Sequence, residues 1–394
     1  MKITSIDLIE LDPIPENGQI PLFTRVNTDA GISGIGEIGV PINGFSTASA
    51  EVVKRVARLL IGENPMAHNR LWETLLRKTF WGQGNGGVIM GAFSALDTAL
   101  WDLKGKAYGA PVHELLGGKF RDRLHSYASQ LQGGWKRAEF LRPPGNLDWY
   151  REAFRAVIDE GYDTIKVNFL SVLPDGRPFD PFEFGPHIPR KLMEVFEERL
   201  ALAREMLGPH GEIILENHAL TDVNAAIEFA RVAEPYGILY YEEPVTNLNP
   251  EQFRRIADAT SIGLATGERA YTRYAYLPYL QNNSVSVVQP DIGNCGGFTE
   301  GMRIAELAQM WGVSVQSHTC NSPISVAAAL QYEAALPNFV IHETHTTNGL
   351  ASVRRIGAHD YQPTDSWFTV PDLPGIGEEL SDWALAHATV TTLS

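Results

Sequence analysis

Only two cysteines, Cys295 and Cys320, occur in 394 residues, and they share no CxxC spacing. A disulfide framework is thereby excluded, and both read as reduced core thiols. Positive charge is scarce as well. The chain carries 32 Lys and Arg against 47 Asp and Glu, a net charge of −15, whereas nucleic-acid binding needs clustered Lys and Arg to neutralise phosphates. Long apolar runs are missing: no segment approaches the length of a membrane span, and the opening MKITSIDLIELD lacks the apolar stretch of a signal peptide. These absences predict a soluble, cytoplasmic protein that engages neither nucleic acid nor membrane. A 44% hydrophobic composition over this length supplies enough apolar surface for a large core in two domains.

What is present is a period. Glu216 follows EIIL, Glu242 follows GILYY and Glu268 follows IGLATG, each 26 residues after the last. Asp291, His318 and Glu343 continue the series at the tails of VSVVQPD, VSVQSH and FVIHE, with helix-patterned segments such as DVNAAIEFARVAEPYG and TEGMRIAELAQMWG between them. Upstream, RLHSYAS around Tyr127 and DTIKVNFL around Lys166 read as two further strands. Eight strands alternating with helices predict a (β/α)8 barrel over residues 121–355, with each strand-end side chain directed into the barrel mouth. The insert DGRPFDPFEFGPHIP lies after a strand and reads either as an enclosing loop or as a surface excursion. Residues 1–120 open with alternating or glycine-punctuated runs and continue into helical stretches, an α+β cap. Residues 356–394 show no clear barrel element and are expected to return and complete the cap. Carboxylates brought together repel one another unless a cation neutralises them, and an all-oxygen set suits a hard divalent ion such as Mg²⁺.

The strand-end residues also carry a resemblance. KVN at Lys166–Asn168, ENH at Glu216–His218, EEP at Glu242–Pro244, GER at Gly267–Arg269, QPD at Gln289–Asp291 and SH at Ser317–His318 resemble, in order and spacing, the mandelate racemase subgroup of the enolase superfamily. Within it they are most similar to sugar-acid dehydratases of the galactonate dehydratase type. The resemblance spans nearly the whole chain and implies the cap-plus-modified-barrel fold, with Glu216, Glu242 and Glu268 as Mg²⁺ ligands. Two departures stand out. Glu216 occupies a position where the dehydratases usually have aspartate, and HTCNSPIS after His318 differs from their His-Cys-Pro run.

The chemistry such a site serves can be reasoned from its groups. Removing a proton beside a carboxylate generates an enediolate, whose charge a divalent metal stabilises. His318 is the candidate base, with Asp291 one strand earlier accepting its other N–H and fixing the tautomer. Asn168 stands where relatives with Lys-x-Lys carry a second base; an amide cannot take the proton, so racemisation by a lysine paired with His318 is disfavoured and Asn168 is assigned to substrate contact. Lys166 is expected to hydrogen-bond the substrate carboxylate, the alternative being a solvent-exposed lysine. His218, two residues after Glu216, would face the same side if the strand persists, and could protonate a departing β-hydroxyl; the alternative is a supporting hydrogen bond, for example to Glu242. By the resemblance, Glu343 binds the substrate carboxylate opposite Lys166. His342 and His345 read as surface or packing residues, and Asn217 and Arg269 as braces for the ligands. The cap loops Glu16–Pro21, Pro41–Thr47 and Phe80–Gly87 are expected to set substrate choice. The sum is a Mg²⁺-dependent dehydratase converting an aldonate (galactonate-, gluconate- or mannonate-like) into a 2-keto-3-deoxy acid, in a homo-oligomer. A lactone cycloisomerase, an epimerase or a non-catalytic sugar-acid binder are the alternatives.

Overall fold

The computed structural model describes residues 1–40, 42–137, 143–184 and 187–394. Alternating apolar residues make three antiparallel strands at the start, β1 (Ile3–Glu10), β2 (Leu22–Thr28) and β3 (Ser33–Glu37). Helices Phe45–Val56, His68–Lys78 and Gly87–Tyr108 follow. Ile6, Val26, Val53, Trp72, Phe93 and Leu96 meet in a buried core between sheet and helices. The glycines of β3 have a steric reason: a Cβ at Gly34 or Gly36 would run into the backbone carbonyl of Ala99 or Ala95, so the long helix lies directly on the strand.

Eight parallel strands form the barrel: β4 (Arg123–Ser129), β5 (Thr164–Val167), β6 (Glu212–Glu216), β7 (Ile238–Glu242), β8 (Leu264–Thr266), β9 (Val287–Val288), β10 (Ser314–Val315) and β11 (His342–His345). Each pairs with its neighbour, β11 returns to β4, and a parallel bridge between Val315 and Phe339 closes the ring. Tyr127, Ile214, Tyr240, Ala265, Val287 and Ile341 pack together as a buried cluster inside it. Because side chains alternate along a strand, the residues two positions further on, Ser129, Glu216, Glu242 and Glu343, also point inward, at the C-terminal mouth.

The chain after 355 does not go straight to the cap. β12 (Trp367–Thr369) pairs antiparallel with β4, because Phe368 and Val370 bury themselves against Leu124, Val326 and Leu330 of the barrel. The chain meets the cap at Gly375 and Ile376, whose N–H groups donate to the Ala110 carbonyl at 3.0 Å and to Asp102 Oδ1 at 2.9 Å, and the final strand, β13 (Thr389–Leu393), adds to β1 and gives a sheet of order β13-β1-β2-β3. The described part of the insert after β5 holds a bridge between Val172 and Pro178 and a short helix Pro181–Phe184, whose Phe182 is 95% exposed. Gly185 and Pro186 of that insert, and Pro41 of the cap loop Pro41–Thr47, lie outside the described residues. No helix among the described residues is long and apolar enough to cross a membrane.

Candidate active site

The barrel mouth gathers Lys166, Glu216, Glu242, Glu268, Asp291, His318 and Glu343. Carboxylate oxygens of Glu216, Glu242 and Glu268 lie within 4.8 Å of one another. Lys166 is 1% exposed, so its alternative as a solvent-facing lysine is set aside. Its Nζ donates to Glu242 Oε1 at 2.6 Å, pairs with Glu343 Oε1 at 2.9 Å and stands 3.9 Å from Glu216 Oε1. Burial works against the ammonium charge, but Glu216, Glu242 and Glu343 together hold the Lys166 pKa well above its usual value.

One ammonium cannot neutralise three carboxylates, and their acidities divide accordingly. Burial tends to raise Glu216, yet His218 and Lys166 pull it down to about 2. Glu343 is likewise lowered, by Lys166 and His318 against the effect of burial. Burial, with Glu216, Glu343 and Glu268 nearby, pushes Glu242 up to about 8. Glu216 Oε1 is buried, with His218 Nε2 2.9 Å away. Three converging carboxylates, one of which has its charge resisted by its surroundings, fit a hard divalent cation.

His318 Nδ1 lies 2.7 Å from Asp291 Oδ2 and its Nε2 lies 3.3 Å from Glu268 Oε2. The dyad therefore abuts the carboxylate group. Burial lowers the His318 pKa, but Cys320, the Asp291 hydrogen bond and Glu268 raise it well above the usual imidazole value. Asp291 Oδ1 in turn accepts the Gly293 N–H at 2.7 Å, which fixes the carboxylate.

His218 reaches the site by a different route from a continued strand. β6 ends at Glu216, and His218 and Ala219 both adopt left-handed backbone conformations, φ 47° and 56°. The turn still brings the ring beside Glu216. Its Nδ1 lies 3.1 Å from Asn168 Nδ2. Asn168 Oδ1 is fixed by the backbone N–H groups of Ser171 at 2.9 Å and Leu170 at 3.3 Å, which turns the amide nitrogen towards the ring. Asn168, assigned from sequence to the substrate, is here the partner of His218. Burial opposes protonation of His218, but Glu216 raises its pKa to about 9.

Other residues place as follows. Glu343 accepts from Ser129 Oγ at 2.6 Å and from the Thr319 N–H at 3.0 Å. His342 is buried outside the ring against Glu333 at 2.5 Å, and His345 is buried with Nδ1 accepting from the Thr347 N–H at 3.2 Å, so neither is a surface residue. Arg269 pairs with Glu243, which Thr266 also holds, and stands 3.6 Å from Glu268. Asn217 Nδ2 bonds the Pro244 carbonyl at 2.9 Å, not a ligand carboxylate. Two glutamines to which the sequence assigned no role hold the carboxylates. Gln130 Nε2 donates to Glu216 Oε2, and Gln289 Nε2 donates to Glu242 Oε2, each at 2.6 Å. Gln289 stood inside the QPD motif, whereas Gln130 sits one residue beyond β4, where only its strand-end position marks it.

Comparison with known proteins returns two family models: mandelate racemase / muconate lactonizing enzyme, N-terminal domain, over residues 17–117, and enolase C-terminal domain-like over residues 149–384. The D-galactonate dehydratase of Variovorax paradoxus (strain S110) is 31% identical over 375 residues, 93% of this chain and 90% of that protein. A solved member of the enolase superfamily from Salmonella Typhimurium is 41% identical with a TM-score of 0.94, covering 100% of both chains. The 3,6-anhydro-D-galactonate cycloisomerase from Zobellia galactanivorans, 24% identical with a TM-score of 0.83 over 99% of this chain and 100% of that one, shares the fold.

Proposed function

This chain belongs to the mandelate racemase / muconate lactonizing enzyme family, and from that premise we propose that it is a Mg²⁺-dependent sugar-acid dehydratase that turns an aldonate into a 2-keto-3-deoxy acid. The observation that carries the reading is the Asp291–His318 pair at 2.7 Å set against the Glu216, Glu242 and Glu268 carboxylates. Binding alone needs no such base.

A divalent cation held by Glu216, Glu242 and Glu268 would supply electrostatic stabilisation to negative charge developing on the substrate carboxylate. Asp291 keeps the His318 proton on Nδ1, so Nε2 is the atom that takes the α-proton. Lys166 Nζ, with three N–H donors, binds a substrate carboxylate oxygen from its place between Glu242 and Glu343. His218, as the imidazolium that its raised pKa favours, gives its Nε2 proton to the 3-hydroxyl as that group leaves as water, and keeps the proton on Nδ1, the nitrogen that faces Asn168. The enol so formed tautomerises to the 2-keto acid. The D-galactonate dehydratase relatives favour a hexonate substrate.

The test is a screen of the purified protein with Mg²⁺ against aldonic and aldaric acids, D-galactonate included, with 2-keto acid read as semicarbazone absorbance. Turnover of one acid that is lost in His318→Asn and on chelation of the metal is expected. Silence across the library overturns the dehydratase reading. One observation favours a second reading, lactone cycloisomerisation: both nitrogens of His218 already face partners, Asn168 and Glu216, and ring opening needs no acid there. A His218→Asn protein that keeps full activity would select it.

A further inference from the structure

Cys320 has no part in the reaction above, yet it is buried beside the base. It lies two residues after His318, beyond the end of β10, with Sγ 3.5 Å from Asn321 Oδ1. One candidate ligand atom from each of Asp291, His318 and Cys320 falls within 4.8 Å of the other two. The neighbouring Glu216, Glu242 and Glu268 group is all oxygen. These two donor sets have opposite preferences. Oxygen-only sites suit Mg²⁺, whereas thiolate and imidazole select borderline-soft ions such as Zn²⁺.

We propose that Asp291, His318 and Cys320 form a second metal site, selective for a thiophilic divalent ion such as Zn²⁺, whose occupation switches the enzyme off by claiming the base. The inhibitory consequence rests on His318 being the base; the site itself does not. Binding forms bonds to sulfur, nitrogen and oxygen, breaks the Cys320 S–H bond and releases that proton to solvent. The ring ligates as the neutral imidazole, releasing a second proton where it carries one and keeping the other on the nitrogen that does not ligate. No oxidation state changes. Metal–ligand bonds of about 2.0–2.3 Å place tetrahedral donors ~3.5 Å apart, so side-chain shifts of about 1 Å close the site, and water takes the fourth position. His318 Nε2 is 3.3 Å from Glu268 Oε2, so an ion here sits next to the oxygen site without sharing its three carboxylates.

The full-length protein, with its oxygen site saturated by Mg²⁺, is titrated with Co²⁺ as a spectroscopic stand-in for Zn²⁺. A thiolate-to-metal charge-transfer band is expected in the wild type and in Cys295→Ser, and its loss in Cys320→Ser. With two cysteines in the chain the band has two assignments, and the variants separate them; Cys320→Ala serves where Cys320→Ser does not fold. No band in the wild type, or a band that survives loss of Cys320, overturns the site. With a turned-over sugar acid in hand, the Zn²⁺ concentration for half-inhibition, normalised to each protein's own activity, should rise about tenfold or more in Cys320→Ser. Inhibition that extra Mg²⁺ relieves equally in both proteins would place Zn²⁺ on the glutamates and overturn the switch. If no sugar acid is turned over, the dehydratase reading fails while the absorbance band still decides the site.

Discussion

Lys166 shows how tightly charge is balanced at single residues in this site. It is buried, with Glu242 and Glu343 on it and Glu216 close by. Removing one partner of a buried ion pair costs about 3–5 kcal/mol because the other charge stays buried and uncompensated. Lys166→Met should therefore lower the melting temperature markedly by calorimetry, and saturating Mg²⁺ should recover part of the loss by neutralising the same carboxylates. A deficit that Mg²⁺ leaves untouched would argue that the carboxylates do not gather around a cation. Gln130 acts more gently, through one hydrogen bond to Glu216 Oε2. Gln130→Ala should weaken metal affinity by about 10–100-fold, measured by calorimetric titration with Mn²⁺, while His318 and its partner stay in place. The sequence revealed the three glutamates because each follows a short apolar run at a spacing of 26 residues; Glu216 and Glu242 end their strands, and Glu268 stands two residues past the end of β8. Gln130 was not legible, because an amide in a left-handed turn, φ 68°, carries neither a periodicity nor a motif. His218 was legible as a neighbour of Glu216, but the turn that delivers it was not, since nothing in ENH marks two successive left-handed residues.

At the scale of elements, three buried carboxylates of the cap fasten strands and helices to one another. Glu37, at the end of β3, accepts from the Ser322 Oγ at 2.7 Å and from the Ser325 N–H at 3.1 Å, at the start of the barrel helix Pro323–Ala334. Asp97 accepts from the Thr299 N–H and Oγ1 at 2.9 and 2.6 Å, in the first turn of helix Gly297–Met310. Asp102 ties Ile35 of β3 to Ile376 of the tail, at 2.8 and 2.9 Å. Burial pushes their pKa values up, to about 7 for Glu37, about 7 for Asp97 and about 6 for Asp102. A raised carboxyl pKa means that the folded state holds the proton more tightly than the unfolded one. The associated stability is full below the unfolded value near 4 and is lost as pH climbs towards 6 to 7. Glu37→Gln cannot titrate. Its melting temperature relative to wild type should therefore rise steadily between pH 4.5 and 7.5, and a difference that is flat across that window would show that Glu37 does not carry the linkage. The barrel elements were readable even where β9 and β10 are two residues long, because the spacing of a βα unit is set by the helix that must cover it. β13 was not readable. Its TVTTL is mostly exposed, so it lacks the apolar alternation that marks a strand with a buried face.

Taken whole, the molecule brings the cap to within two hydrogen bonds of the catalytic dyad. The Gly39 N–H, just past β3, donates to the Gly293 carbonyl at 3.0 Å. Gly293 in turn gives its N–H to Asp291 Oδ1 at 2.7 Å, and Asp291 Oδ2 holds His318. The two glycines meet backbone to backbone, and a Cβ built on Gly39 would overlap the Gly293 peptide itself, which no side-chain rotation can relieve. Either the cap lifts or the Gly293 loop retreats. Retreat moves Asp291, and with it the ring that must reach the substrate, and a misplacement of ~1 Å at a reacting group can cost about 10²-fold in rate. Gly39→Ala should therefore lower kcat/KM for the sugar acid by about that factor while Mn²⁺ affinity, measured without substrate, stays near wild type, since Glu216, Glu242 and Glu268 are held by β6, β7 and the turn after β8. A variant that loses metal binding and activity together would mean the cap supports the whole barrel mouth rather than the dyad. One that keeps both would mean the cap seats substrate without touching the base. The cap was legible in the sequence as a separate α+β unit from its antiparallel pattern, but this joint was not, because a glycine chosen for what it leaves out shows its reason only when the second chain segment is beside it.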